Sequence, residues 1–122
     1  MLRVKLTVTT AADGTVTAYS PRIAGKVHSV HYVKTDYADG VDFTITAEAT
    51  GETIWAESNV NASDVRYPRA ATHSTAGAAA LYAAGGAAVL APVAVANDRV
   101  KIVLAQGGNA KSGTFHILVD KD

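Results

Sequence analysis

Four histidines and one cluster of carboxylates are the side chains with the most chemistry to offer. A neutral imidazole is a common ligand for transition metals, so a metal site is the first possibility to weigh. His28 and His31 lie three apart in VHSVHYV. On a strand an odd spacing sends two side chains to opposite faces, so these two can share a metal only where the strand bulges. His73 stands in an irregular stretch and His116 near the C-terminus, and nothing in the sequence converges them. Asp36, Asp39 and Asp42, in DYADGVD, are hard oxygen ligands of the kind calcium takes. They lack the alternating acids and closing glutamate of a calcium loop, and aspartate and glycine are ordinary turn formers. No metal and no cofactor is expected.

Other chemistries find less support. Hydrolysis wants a nucleophile on a sharp turn or two facing carboxylates, and no serine, histidine or aspartate sits in such a motif. GGNAKSG, residues 107–113, has the residue types of a phosphate loop. It lacks the spacing and leads into a strand rather than a helix, so a hairpin turn is the reading. Trp55, Tyr32, Tyr37, Tyr67 and Tyr82 have the makings of an aromatic platform for sugar, although scattered aromatics in a β domain are more often core or interface. Asn61-Ala62-Ser63 matches a glycosylation sequon, which means little without a secretory signal. No catalytic residue is assigned, and the chain is read as non-enzymatic.

The elements that hold these residues alternate with period two. Leu2, Val4, Leu6 and Val8 alternate with Arg3, Lys5, Thr7 and Thr9, giving one apolar and one polar face. Asp13-Gly14 predicts a tight turn, with Thr15 to Ser20 returning as the second strand of a hairpin. Lys26 to Lys34 reads as a strand, and Phe43 and Ile45 mark another, paired back through Gly51 to 52–58. Val89 to Ala96 and Arg99 to Ala105 predict a hairpin about Asn97-Asp98, and Thr114 to Val119 a last strand. Leu6, Val8, Phe43, Ile45, Ile102, Leu104, Phe115 and Ile117 are the expected inward residues. About eight strands without strand–helix alternation predict an all-β, antiparallel sandwich or jelly-roll-like single domain spanning 1–122. Residues 59–86 form the irregular excursion, expected to lie over the sandwich, where 78–82 has the composition for one or two helical turns.

Composition bounds the function. The chain has 122 residues, enough for a core without staples, and no cysteine, which excludes disulfides and thiolate metal sites. Eleven basic residues balance eleven acidic ones, and the bases are scattered singly, which argues against nucleic acid and anionic membranes. MLRVKLTVTT has no apolar h-region, so synthesis in the cytoplasm is expected. The uncharged stretch from Ala76 to Ala96 is mostly alanine and glycine, carries Pro92, and is too weakly apolar for a membrane span.

Two stretches, HYVKTDYADGVDFTITAEATGETIWAESNVNASDVRYPR and LYAAGGAAVLAPVAVANDRVKIVLAQGGNAKSGTFHILVD, resemble small proteins encoded among the head and tail genes of tailed bacteriophages. The likeness covers roughly 26–120. It implies a virion structural protein such as a capsid decoration (cement) protein, a β domain that is often trimeric and clamps neighbouring copies of the major capsid protein. The expected location is then the capsid surface, with synthesis in the host cytoplasm. The 70–96 stretch suits packing against another chain, since alanine loses little side-chain entropy on immobilisation; a covering loop on the same domain is the alternative. A tail or host-adhesion module of carbohydrate-binding type is the competing function.

Overall fold

Ten strands carry the structure, a computed structural model that describes residues 1–121: β1 (Leu2–Thr9), β2 (Val16–Tyr19), β3 (Ile23–Lys34), β4 (Asp42–Ala47), β5 (Thr53–Glu57), β6 (Asp64–Arg66), β7 (Arg69–Ala71), β8 (Leu90–Asp98), β9 (Val100–Ala105) and β10 (Ser112–Asp120). Every pairing between them is antiparallel. A large sheet has the order β1-β10-β3-β8-β7, with β6 also on β3, and a small sheet has the order β2-β9-β4-β5. No described residue is helical. The expectation of an antiparallel sandwich holds.

The pairings reveal how the chain is wound. β1 pairs β10, β2 pairs β9, β3 pairs β8 and β4 pairs β5, so the chain doubles back on itself as one long ribbon. Two further pairings, β10 with β3 and β9 with β4, roll that ribbon into two facing sheets. This is jelly-roll connectivity. The eight ribbon strands match the expected number, and β6 and β7 are short additions within the excursion.

Three expected hairpins do not form. β1 and β2 belong to different sheets, as do β8 and β9, and so do β9 and β10 on either side of GGNAKSG. The Asp13-Gly14 turn exists, with the Asp13 carboxylate accepting from the Thr15 amide at 3.1 Å, but it is a corner between sheets. Turn chemistry acts locally and cannot choose the partner strand, whereas β10 offers β1 matching apolar positions from Leu2↔Val119 to Val8↔Gly113. The β8–β9 corner is fixed likewise: Asn97 takes a left-handed conformation (φ 48°), and Ser20 Oγ accepts from the Val100 amide at 2.8 Å. The β4–β5 hairpin forms as expected, with Ile45 opposite Trp55.

The core lies between the sheets. Val8, Phe43, Ile45, Ile102, Leu104, Phe115 and Ile117 are buried as expected, and Leu6 is half-buried against them. Phe43 of the small sheet meets Tyr32 and Phe115 of the large sheet edge-on, with ring centroids 4.7 and 5.0 Å away, and Trp55 at 5.4 Å. Tyr32 stacks on Phe115 at 5.2 Å. Tyr37, from the β3–β4 connection, donates its hydroxyl to the Val8 carbonyl and lies over Gly113, where a Cβ would come within 2.4 Å of the ring.

Phe43→Ala or Phe115→Ala should therefore cost about 3–5 kcal/mol through lost burial and the cavity left behind, while the exposed Thr44→Ala should stay within about 0.5 kcal/mol of wild type. Denaturant unfolding of the three variants checks the assignment of faces. A second test addresses close approach. Gly25 has φ 141°, and a Cβ there would come within 2.4 Å of the Asp120 carbonyl oxygen. Gly25→Ala should destabilise by at least about 2 kcal/mol through strain and backbone clash. Gly51→Ala, with φ 74° but open space around it, should cost only about 1 kcal/mol.

Candidate functional site

The histidines converge more than their spacing suggests. A bulge interrupts the β3–β10 ladder, where Ser29 faces Leu118 but the next pair is Val27 with Val119. Val27 and Val30 both point into the core despite an odd step between them. The bulge that permits this also brings His28 to the outer side, the side His31 takes. Two pairs beyond Ser29–Leu118, His31 lies directly opposite His116, and His116 opposite Lys5. The outer face of the large sheet thus carries a cross-strand row, Lys5–His116–His31, with Arg3 and Leu118 paired beside it. Arg3, His31, Val33, His116 and Leu118 line a shallow depression of about 360 Å³ on this face.

The expectation that His116 stands apart is corrected: the first and last strands of the ribbon meet, which local spacing cannot reveal. His73 does stand apart, exposed on the excursion, where it bridges Ala79. His28 is occupied otherwise, 3.2 Å from Ser29 Oγ and edge-on to Tyr67 at 5.9 Å. Among the described residues no three histidine or carboxylate side chains are grouped to hold a metal.

Electrostatics on this face run one way. Burial, together with the positive charge of Arg3 and Lys5, holds the His116 imidazole below its ordinary value. Its Nδ1 is shut off from solvent with no hydrogen-bond partner. No ion pair among the described residues engages Arg3 or Lys5; the four pairs join Lys34 to Asp39, Arg66 to Glu57 and Asp64, and Arg99 to Glu48.

The remaining expected groups are structural where the structure places them. Asp36 accepts from the Ser112 amide at 2.7 Å, Asp39 pairs with Lys34 at 3.2 Å, and Asp42 accepts from the Asn59 amide at 2.9 Å. The three carboxylates tie different loops and do not converge. Asn61 Oδ1 accepts from the Gly40 amide and Ser63 Oγ from the Lys34 amide, so the sequon side chains hold the β3–β4 and β5–β6 connections together. GGNAKSG is a corner, its Gly107 amide bonded to the Gly14 carbonyl at 2.9 Å. Tyr32, Tyr37 and Trp55 are buried in the core, which removes three of the five aromatics from any sugar platform. Desolvation pushes the Tyr32 hydroxyl up to about 12.

The excursion differs most from expectation. Residues 72–89 form a small three-run β arm. The Thr72 amide bonds the Val89 carbonyl, the Ala80 amide the Thr72 carbonyl, and the Val89 amide the Ala80 carbonyl, at 2.8, 2.8 and 3.0 Å. Isolated bridges join His73 to Ala79 and Leu81 to Ala88. Ala78–Tyr82 is therefore extended, not helical. Gly77 (φ 85°) and Gly85 (φ 71°) turn the chain on either side, leaving a run too short to nucleate a helix against lateral pairing. The arm does not cover the sandwich either: residues 73–79 and 81–87 are all exposed. Leu81 is 46%, Tyr82 76% and Leu90 56% exposed.

No protein-family model matches the sequence, and no curated protein matches it.

His116 gives the fold a pH dependence of definite sign. Its folded-state value lies below the ordinary 6.5, so on acidification the unfolded chain takes up the proton first. Its contribution to stability is complete above about pH 6.5 and falls as pH drops through the window below it. The carboxylates held low by partners, Asp13, Glu48 and Asp64, titrate in a lower range. Melting temperature between about pH 8 and 5 should fall more steeply for wild type than for His116→Gln; parallel curves would remove His116 as the cause.

Proposed function

We propose that the protein is a non-enzymatic structural protein of a tailed-phage particle, a capsid decoration protein whose docking element is the 72–89 arm. The arm is the observation that carries the reading. Between Arg69 and Asp98 the sequence has no lysine, arginine, aspartate or glutamate. Exposed strand edges in natural proteins are usually defended by charge, proline or a covering element, because unpaired amides and carbonyls recruit other strands. This arm is exposed, uncharged and alanine-rich, and it displays Leu81 and Tyr82, with the exposed Leu90 of β8 and the outer edge of β7 beside its base. Such a surface fits another protein chain, through added strand pairing and apolar contact.

Three further points support the phage assignment: the resemblance of two long stretches to head and tail gene products, the jelly-roll winding found in capsid domains, and the zero net charge, which lets copies cluster. The major capsid protein is the partner proposed. A homotrimer is the proposed assembly, since a threefold unit makes equivalent contacts at a threefold position on a shell. The adhesion reading keeps one argument, that jelly rolls also serve as lectins, but burial of Tyr32, Tyr37 and Trp55 takes away most of the stacking surface it needs.

Replacing residues 73–88 by a short turn should leave the melting temperature of the sandwich nearly unchanged, because the arm contributes no residue to the buried core. The same variant should lose attachment to heads of the phage that encodes it. Mass spectrometry of purified particles should find the wild-type protein, and cryo-electron microscopy should place it on the head in threefold clusters. Absence from particles, or full attachment by the armless variant, would overturn the proposal; density on the tail alone would favour adhesion.

A further inference from the structure

A second surface, on the outer face of the large sheet, has chemistry of its own. Residues directly opposite in an antiparallel pair have Cβ atoms about 4.5–5.5 Å apart, and like charges placed so repel. Lys5, His116 and His31 occupy three successive opposite positions, and Arg3 sits beside them. A sheet face that only needed to be wet would interleave acids with these bases. Among the described residues no acid stands within the row, and the one at the strand end, Asp120, lies opposite Lys26. From β1 the groups facing His116 are Arg3 and Lys5, and from β3 it is His31. β6 contributes Val65 opposite His31, while Asp64 and Arg66 on either side of it pair with each other at 2.7 Å. Along β10 the next charged residue on this face is Asp120, further towards the strand end.

The depression is walled by apolar side chains, Val33 and Leu118, with the imidazoles and Arg3 completing it. Its volume of about 360 Å³ is at the lower end of the range for small-ligand sites, roughly 300–1,000 Å³. We propose that it binds an oxyanion carried on an apolar body, a carboxylate on an aromatic or short aliphatic group. Arg3 and Lys5 supply charge, the imidazoles donate hydrogen bonds, and Val33 and Leu118 cover the apolar part. A bare imidazolium at His116 beside Arg3 and Lys5 is unfavourable, so His116 takes up its proton together with the anion and binding strengthens as pH falls. The inference is independent of the arm and survives or fails separately from the proposed function.

Benzoate is the probe, with benzamide as its neutral counterpart and inorganic phosphate as the anion without an apolar body. Nuclear magnetic resonance of the full chain follows the His31 and His116 ring signals and the Val33 and Leu118 methyls at constant ionic strength. Benzoate should shift all four residues saturably at about pH 5.5, with affinity at least severalfold weaker at about pH 8. His116→Gln, and separately the exposed Arg3→Gln, should weaken it roughly tenfold. Arg3→Gln keeps the test open should the histidine variant fold poorly. Benzamide binding as tightly as benzoate would overturn the anion site, and phosphate matching benzoate would overturn the apolar body. Equal binding by a folded Arg3→Gln, or shifts spread over the surface without saturation, would also sink the proposal.

Discussion

Phe43 is the contact on which the two-sheet arrangement turns. It stands on β4 of the small sheet and drives its edge into Tyr32 and Phe115 of the large one, while Trp55 abuts it from β5. Edge-on aromatic pairs prefer such separations and add to the area they bury. The four rings come from β3, β4, β5 and β10, so the wedge fixes the middle of the wound ribbon and its closing strand at once. Tyr37 extends the cluster outward, its hydroxyl satisfied by the Val8 carbonyl on β1. Gly113 follows from this packing: the Tyr37 ring occupies the space a Cβ would need. In this way a ring from a connecting loop dictates a residue near the start of β10.

The alternation of Leu2–Val8, Phe43–Ala47 and Thr114–Val119 specified strands and faces, because side-chain direction along a strand is a local property. Strand partners were not legible. Asp13-Gly14 and Asn97-Asp98 bear the marks of hairpin turns, yet both sit at corners where the chain crosses between sheets. What decides is the match of long apolar rows such as β1 against β10, which are separated by most of the chain. The histidine row was hidden for the same reason. The parity of Arg3, Lys5 and His116 could be read, but their adjacency requires the first and last strands to meet. The bulge at His28–Ser29 left no signal beyond valines at 27 and 30, an odd step between two residues that both turn out to be core. In the arm, alanine was misleading: its helix preference applies where the chain can continue, and Gly77 and Gly85 do not let it.

The two surfaces differ in their physics. On the outer sheet face the backbone is paired on both sides in β10 and β3, so side chains are held in a fixed grid and recognition would be electrostatic and geometric. The arm has no lysine, arginine, aspartate or glutamate and few large side chains, and its recognition would come from backbone pairing and shape. A rigid, charged grid favours a small ligand of definite charge, whereas an uncharged strand edge favours another chain. The corners between them are pinned by buried polar groups. Asp98 accepts from the amides of Ala49 and Arg99 at 2.9 and 2.8 Å, and Arg99 in turn holds Glu48 and lies 4.1 Å over the Tyr19 ring.

The arm's own energetics bear on how it would dock. It is held by a handful of backbone hydrogen bonds and by almost no buried apolar surface, the condition under which a segment opens at little free-energy cost. Ordering such a segment against a partner normally subtracts conformational entropy from the gross contact energy. Alanine and glycine reduce the side-chain part of that loss nearly to zero, and the three-run pairing has already restricted the backbone. A poorly anchored arm of small residues can therefore adapt to a partner's contour and still retain most of the energy of the contacts it makes. Larger side chains would gain more area per residue but would expose that area whenever the partner is absent, with aggregation as the consequence. On the proposed docking role, the composition of the arm would be a compromise between the free and the assembled protein, with Leu81 and Tyr82 the positions where contact area outweighs the hazard.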